Sequence, residues 1–246
     1  MKTNLEKKIK IIQLGESGPN LLTVSLINKL VNELNYDLCK AVIIIGNNKT
    51  FSAGLNLKHL IKGNKEEVSE IFETFERLLN KIRQFPGPVF SIVSGHAIAG
   101  GCLLALACDY RYGVFGTHRM GLNEMALSLD LPKTILEIIT HSINRNNLFE
   151  VATQCKLYTP RQAFKKGLIN EYISNPFIGK NKAIKLALEN AKKLANFFID
   201  AGDPFCRLKK TLIYNNDSDF NVLIENWFSE KTQKKISMAL SNLSKK

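Results

Sequence analysis

Cysteine is scarce and badly placed for cross-linking. The 246-residue chain carries five, Cys39, Cys102, Cys108, Cys155 and Cys206, with no C-x-x-C or C-x-x-H spacing. An odd number without those spacings argues against both a disulfide framework and a zinc site, and no metal is expected. Reduced thiols in a cytoplasmic protein account for them most simply. Long apolar runs are missing as well. Ala41 to Ile45 is far too short to span a bilayer, so no membrane partner is expected. The N-terminus, Met1-Lys2-Thr3-Asn4-Leu5-Glu6-Lys7-Lys8, has no apolar core after its basic residues, and no signal peptide is expected there. A G-x-S-x-G elbow, a Walker loop and a G-x-G-x-x-G fingerprint are all absent, which removes the common routes to a serine hydrolase, a P-loop NTPase and a dinucleotide enzyme. Acidic residues are outnumbered, 22 against 34 Lys+Arg, for a net charge of +12. That surplus suits an anionic partner: nucleic acid, an acidic membrane or a phosphate-bearing small molecule. The charges are spread along the chain rather than blocked, so a solvated surface explains them equally well.

What is present is the composition of one large domain or one domain with an appendage. Hydrophobic residues are 45% and charged residues 23%, which excludes wholesale disorder and a fibrous repeat. Ile9 to Leu14 reads as a strand, and Gly15 to Asn20 as a turn cluster. From Ser25 an amphipathic helix carries Leu26, Leu30, Val31 and Leu34. Ala41 to Ile45 is a short continuous, mostly β-branched run, predicted as a strand buried on both faces, and Val89 to Val93 is predicted as a second buried strand. Between them Glu66 to Phe85 predicts a helix with Val68, Ile71, Phe75, Leu78 and Ile82 on one face, stopped by Pro86-Gly87-Pro88. An apolar helix from Gly101 to Cys108 and a strand from Tyr110 to Val114 follow. This alternation predicts an α/β fold with crossover connections. After about residue 180 strand signals stop. Asn181 to Asp200 and Asp219 to Leu243 read as Lys-rich helices. The composition shift places a core at 1–178 and a helical region at 179–246.

Three segments carry candidate chemistry. Phe51 to Leu57 follows the strand ending at Ile45, and Gly95 to Cys102 follows the strand ending at Val93. Both put small residues beyond the carboxyl end of a buried strand, the edge where α/β sheets bind ligands. Gly there also serves plain turn geometry. Taken together, two such loops could form a two-amide oxyanion hole, since the second opens a helix with free amides. In the third segment, Met120 to Leu127, Glu124 sits among apolar residues. It is either an exposed face residue or a base in an apolar pocket, where burial would raise its pKa. His96 is expected to pack beside its loop. Trp227 and Phe228, with Ile224, suggest a core or subunit contact.

Phe51 to Leu57, Gly95 to Tyr112 and Gly121 to Pro132, in this order and spacing, resemble the crotonase superfamily of enoyl-CoA hydratases and isomerases. Asn20-Leu21-Leu22 and the stretch from Thr159-Pro160 to Glu171 are similar to further family segments. The resemblance implies a spiral of ββα units with a C-terminal helical region, a homotrimer or dimer of trimers, and an acyl-CoA thioester substrate. No cofactor is implied beyond the coenzyme A that the substrate itself carries. It implies oxyanion donors at the N–H groups of Leu55 and Gly100, and coenzyme A running along Ala53, Gly54, Leu55, Asn56 and Leu57. Family hydratases use two glutamates. The first falls at Leu103 here and the second at Glu124, and the Gly-Leu-Asn-Glu setting is similar to Δ3,Δ2-enoyl-CoA isomerases, which work with one. Asn56 stands for a usual aspartate and Ser128 for a common glycine. Asp130 has no usual counterpart; it is expected as a cap or surface residue, the other possibility being a second carboxylate in the pocket. An isomerase is therefore the favoured expectation, with hydration or another crotonase reaction as the alternative. A rival of another class is RNA binding through Lys180, Lys182, Lys185, Lys192 and Lys193; nucleic acid is not the expected partner.

Overall fold

Residues 1–127, 129, 131–214, 230 and 234 are described by the computed structural model. The chain opens with β1 (Lys2–Glu6) and β2 (Ile9–Gln13), an antiparallel pair. β1 escapes sequence reading because it is an exposed edge strand with no apolar alternation. α1 (Val24–Glu33) starts one residue before its predicted start, because the Thr23 side chain accepts from the N–H of Leu26 at 3.2 Å. β3 (Ala41–Ile45) has the predicted bounds, and β4 (Thr50–Ser52) follows it. A single turn, α2 (Leu57–Leu60), leads to α3 (Lys65–Gln84), which a capping box between Asn64 and Glu67 begins. α3 buries Ile71, Phe75, Leu78 and Ile82 as predicted, while Val68 is only half-buried.

The same order then recurs. β5 (Val89–Val93) is followed by β6 (His96–Ile98) and α4 (Gly100–Leu106), and β7 (Tyr110–Val114) by β8 (Met120–Gly121). α5 (Lys133–Ser142), α6 (Arg145–Thr153), α7 (Pro160–Lys166) and β9 (Glu171–Ile173) complete this part. The long strands form a six-stranded sheet in the order β1-β2-β3-β5-β7-β9, parallel except for β1, and β4, β6 and β8 form a separate parallel three-stranded sheet. β3, β5 and β7 thus each hand the chain to a short strand, β4, β6 and β8, before a helix returns it, which is the ββα spiral. The short strands, of two or three residues, are below the length at which periodicity can be read.

The large sheet is buried on both faces. Val42, Ile44, Val89 and Val93 pack with α1, α3 and α4, and Ala41, Ile43, Phe90 and Ile92 pack with α8 (Lys180–Ala201). Ala183, Ala187, Ala191 and Ala195 recur every four residues along α8 and are wholly buried, so the helix approaches the sheet closely. α8, all but its last residue, belongs to the first of two packing units, Met1–Asp200, and Ala201–Lys246 forms the second, which contains α9 (Asp203–Tyr214). β9 is the last strand among the described residues, and the division between packing units lies after Asp200. Ser128, Asp130, Ile224, Trp227 and Phe228 lie outside the described residues, as does the predicted helix Asp219 to Leu243 apart from the helical Glu230 and Lys234. Among the described residues no helix is long and apolar enough to cross a membrane.

Candidate active site

The two Gly-containing loops do not leave the large sheet directly, as the sequence suggests. Each follows a strand of the small sheet: Ala53 to Leu57 after β4, and Ala99 to Gly101 after β6. β4 and β6 are parallel neighbours, so the loops leave the same edge side by side.

The first loop is pinned from below by Asn20. Its side-chain amide donates to the carbonyls of Thr50 at 2.9 Å and Phe51 at 3.0 Å. Ser52, fully buried, donates its hydroxyl to the Asn20 carbonyl at 2.8 Å and accepts from the Gly54 N–H at 3.1 Å. The Ala53 N–H donates to the Pro19 carbonyl at 2.9 Å. The amides of Ala53 and Gly54 are thereby consumed. Gly54 has φ of +86°, which turns the chain so that the Leu55 N–H has no acceptor among the described residues. Asn56 sits at the N-cap of α2 without a side-chain capping bond, and Leu57 is exposed.

In the second loop Ala99 holds φ of 50° and ψ of −122°, a conformation that L residues rarely adopt and that costs about 1–3 kcal/mol. It is held from both sides: the Ala99 N–H donates to the Gly121 carbonyl at 3.0 Å, and its carbonyl accepts from Leu103 at 2.9 Å. The Gly100 N–H also has no backbone acceptor among the described residues. The loops touch. A methyl group built on Gly54 would lie 3.1 Å from the Gly100 nitrogen, and one built on Gly100 would lie 3.5 Å from the Leu55 nitrogen and 3.4 Å from the Phe75 ring.

Glu124 follows β8, the third strand of the small sheet, and opens a 3₁₀ turn, Glu124–Leu127. Its Oε2 accepts from the Asn123 N–H at 2.9 Å. Burial pushes its pKa above the ordinary carboxylate value, against the pull of the Glu124 and Asn123 amides. The Cys102 thiol, at the start of α4, is pushed up strongly, first by its own burial and then by the Glu124 carboxylate. Leu103, one residue on, is buried at 2% exposure. His96 is exposed and accepts from the Arg119 N–H through Nδ1 at 3.1 Å. No cluster of three metal-ligating side chains occurs among the described residues.

So Leu55, Gly100 and Gly54 come together, and Glu124 sits in the segment that the Ala99 amide ties to them. Asn123, Ser52 and Phe75 are part of this arrangement and were not legible as such. Only the fold brings the Phe75 ring from α3 over Gly100.

The sequence profile of the enoyl-CoA hydratase/isomerase family matches residues 6–219. The chain belongs to that family. Rat mitochondrial enoyl-CoA delta isomerase 1 is 25% identical over 185 residues, covering 68% of this chain and 63% of its own. Human mitochondrial methylglutaconyl-CoA hydratase is 28% identical over 201 residues, covering 81% of this chain and 58% of its own. The matched region thus spans less than two thirds of the length of either relative. The crystal structure of an enoyl-CoA hydratase from Geobacillus kaustophilus superposes with a TM-score of 0.78, over 98% of this chain and 93% of that one, at 22% identity. At that identity the likeness speaks for the fold: the ββα spiral described above is the crotonase fold.

Proposed function

We propose that this protein is a Δ3,Δ2-enoyl-CoA isomerase working with a single base. The observation that carries the reading is Leu103. It is buried on α4 where the family resemblance puts the first glutamate of a hydratase, and an isobutyl group can neither hold nor activate water. Glu124 is the carboxylate left beside the loops, and its raised pKa suits a group that must take a proton and give it back.

The substrate is an acyl-CoA thioester, with coenzyme A laid along Ala53 to Leu57 and no further cofactor. Its thioester oxygen sits between the Leu55 and Gly100 N–H groups. Glu124 removes a proton from C2 of a 3-enoyl thioester. The electron pair moves onto the thioester oxygen, where the two amides hold the enolate. As the enolate collapses, the double bond forms between C2 and C3 and the proton on Glu124 goes to C4. No atom is gained or lost and no water enters. A homotrimer or dimer of trimers in the cytoplasm completes the proposal.

Incubation with a panel of 2-enoyl- and 3-enoyl-CoA thioesters, followed by product analysis, tests it. Interconversion of the two series without 3-hydroxyacyl product is the expected result. 3-Hydroxyacyl-CoA as the main product would replace the reading with hydration.

A further inference from the structure

We propose that the main-chain N–H of Asn123 is a positioning group for Glu124: it fixes Oε2 and leaves Oε1 as the oxygen that carries the proton. The inference rests on the reading of Glu124 as the base and adds to it a division of labour between the two carboxylate oxygens.

The geometry is specific. A 3₁₀ turn, like any helix, leaves the N–H groups of its first residues without internal partners. Here the Asn123 carbonyl is engaged, accepting from Ala126 at 3.1 Å. Its N–H is engaged by Oε2 of Glu124, the next residue, at 2.9 Å. The carboxylate is therefore folded back onto its own main chain. Upstream the segment is anchored by the Gly121 carbonyl, which accepts from the strained Ala99, and by Leu122, which is 2% exposed. The same short stretch thus fixes the amide side of the site and the base.

A proton shuttle needs one oxygen that reaches the substrate at both C2 and C4. A carboxylate free to rotate would present either oxygen and spread its positions. The Asn123 N–H, 2.9 Å from Oε2, removes that freedom together with the main-chain amide of Glu124 itself. It also favours the charged form, so it limits how far burial lifts the pKa. The Asn123 side chain is separable from this role. Its Oδ1 is buried without a hydrogen-bond partner among the described residues, so truncating it removes no bond through that atom.

The test compares Asn123→Ala, which keeps the N–H, with Asn123→Pro, which deletes it. A main-chain ester at position 123, installed as the α-hydroxy analogue of alanine, deletes the donor without the ring and serves if the proline variant does not fold. The readout is the pH profile of kcat and kcat/KM for 3-enoyl-CoA isomerisation. Asn123→Ala should keep the acid limb of wild type. The proline or ester variant should move that limb up by about one pH unit, the size expected for one hydrogen bond to a charged group. kcat should fall by about tenfold or more with KM little changed. An unmoved acid limb in a folded proline or ester variant overturns the inference, as does an equal shift in Asn123→Ala. Failure of the underlying reading looks different: Glu124→Gln would then retain turnover.

Discussion

Gly100 turns its α-carbon toward the main-chain nitrogen of Leu55: a methyl group added there would stand 3.5 Å from that nitrogen, in ordinary contact and without backbone collision. The neighbouring glycine is different. A methyl on Gly101 would lie 2.1 Å from the Ser52 carbonyl oxygen, which no relaxation of a side chain can relieve.

The pair separates function from folding. Gly100→Ala should fold, with a thermal midpoint close to wild type, but its methyl would crowd the space in front of the Leu55 N–H. Loss of one oxyanion donor costs about 2.7–4 kcal/mol in the transition state, so turnover should fall by at least a hundredfold. Gly101→Ala should instead lose stability or soluble yield, because the start of α4 cannot move off β4. Normal turnover in Gly100→Ala, measured with a 3-enoyl-CoA substrate, would place the oxyanion hole elsewhere.

Glu124→Gln keeps the shape of the side chain but cannot accept a proton. Binding of a coenzyme A thioester should survive nearly intact while turnover disappears. The wild-type acid limb should lie above the ordinary carboxylate range, because burial raises the Glu124 pKa, and activity should fall as pH drops through that raised value. An acid limb at or below the ordinary carboxylate value would mean that another group supplies the base.

Asn20 supports the first loop through its side chain, by donating to the Thr50 and Phe51 carbonyls. It does so from a left-handed backbone, φ of 48°, that Asn tolerates better than most residues. Asn20→Ala would take this donor from the buried Phe51 carbonyl, at about 1–3 kcal/mol for a group left unpaired, while the Thr50 carbonyl keeps the Asn47 N–H at 2.9 Å. A lower urea midpoint and a turnover loss of about tenfold or more are expected, since the Leu55 amide rides on this loop. Unchanged turnover with reduced stability would show that the loop holds its shape without Asn20.

Much of this arrangement is readable from residue order alone. The strand Ala41–Ile45 was legible because a parallel strand buried on both faces is continuously apolar, and Val89–Val93 and Tyr110–Val114 from their β-branched and aromatic residues. Helices α1 and α3 were legible from their apolar stripes, whereas α5, α6 and α7 were not read. The small sheet was not, because Thr50–Ser52, His96–Ile98 and Met120–Gly121 look like turns in composition and are defined by pairing across the chain. For the same reason the loops at Gly54 and Gly100 could be picked out as backbone-rich and close to strands, but not that both leave the small sheet. The strained backbone of Ala99 was illegible because an alanine gives no sign of positive φ; its conformation is imposed by the Gly121 and Leu103 hydrogen bonds. Asn123 was passed over because its part is played by its main chain, which every residue except proline shares.

His118 gives the clearest prediction about stability. It is 4% exposed, and neither ring nitrogen has a hydrogen-bond partner among the described residues. Its pKa is pushed down to about 3, chiefly by burial, then by Lys180 and His96 and to a smaller extent by Arg119. In the unfolded chain a histidine titrates near 6.5. Between these values the unfolded state binds more protons than the folded state, so stability rises with pH across the interval and is complete above about 6.5. Acidification from pH 7 to pH 4 should therefore weaken the fold, by an amount on the order of a few kcal/mol from this residue. His118→Leu replaces the ring with an apolar group that has no polar atom to leave unpaired. Its urea midpoint should be at or above that of wild type at pH 7.5, and the gap should widen steadily at pH 6.5, 5.5 and 4.5. A constant gap over that series would show that His118 is protonated in the folded protein at no special cost, and the acid sensitivity would then belong to other groups.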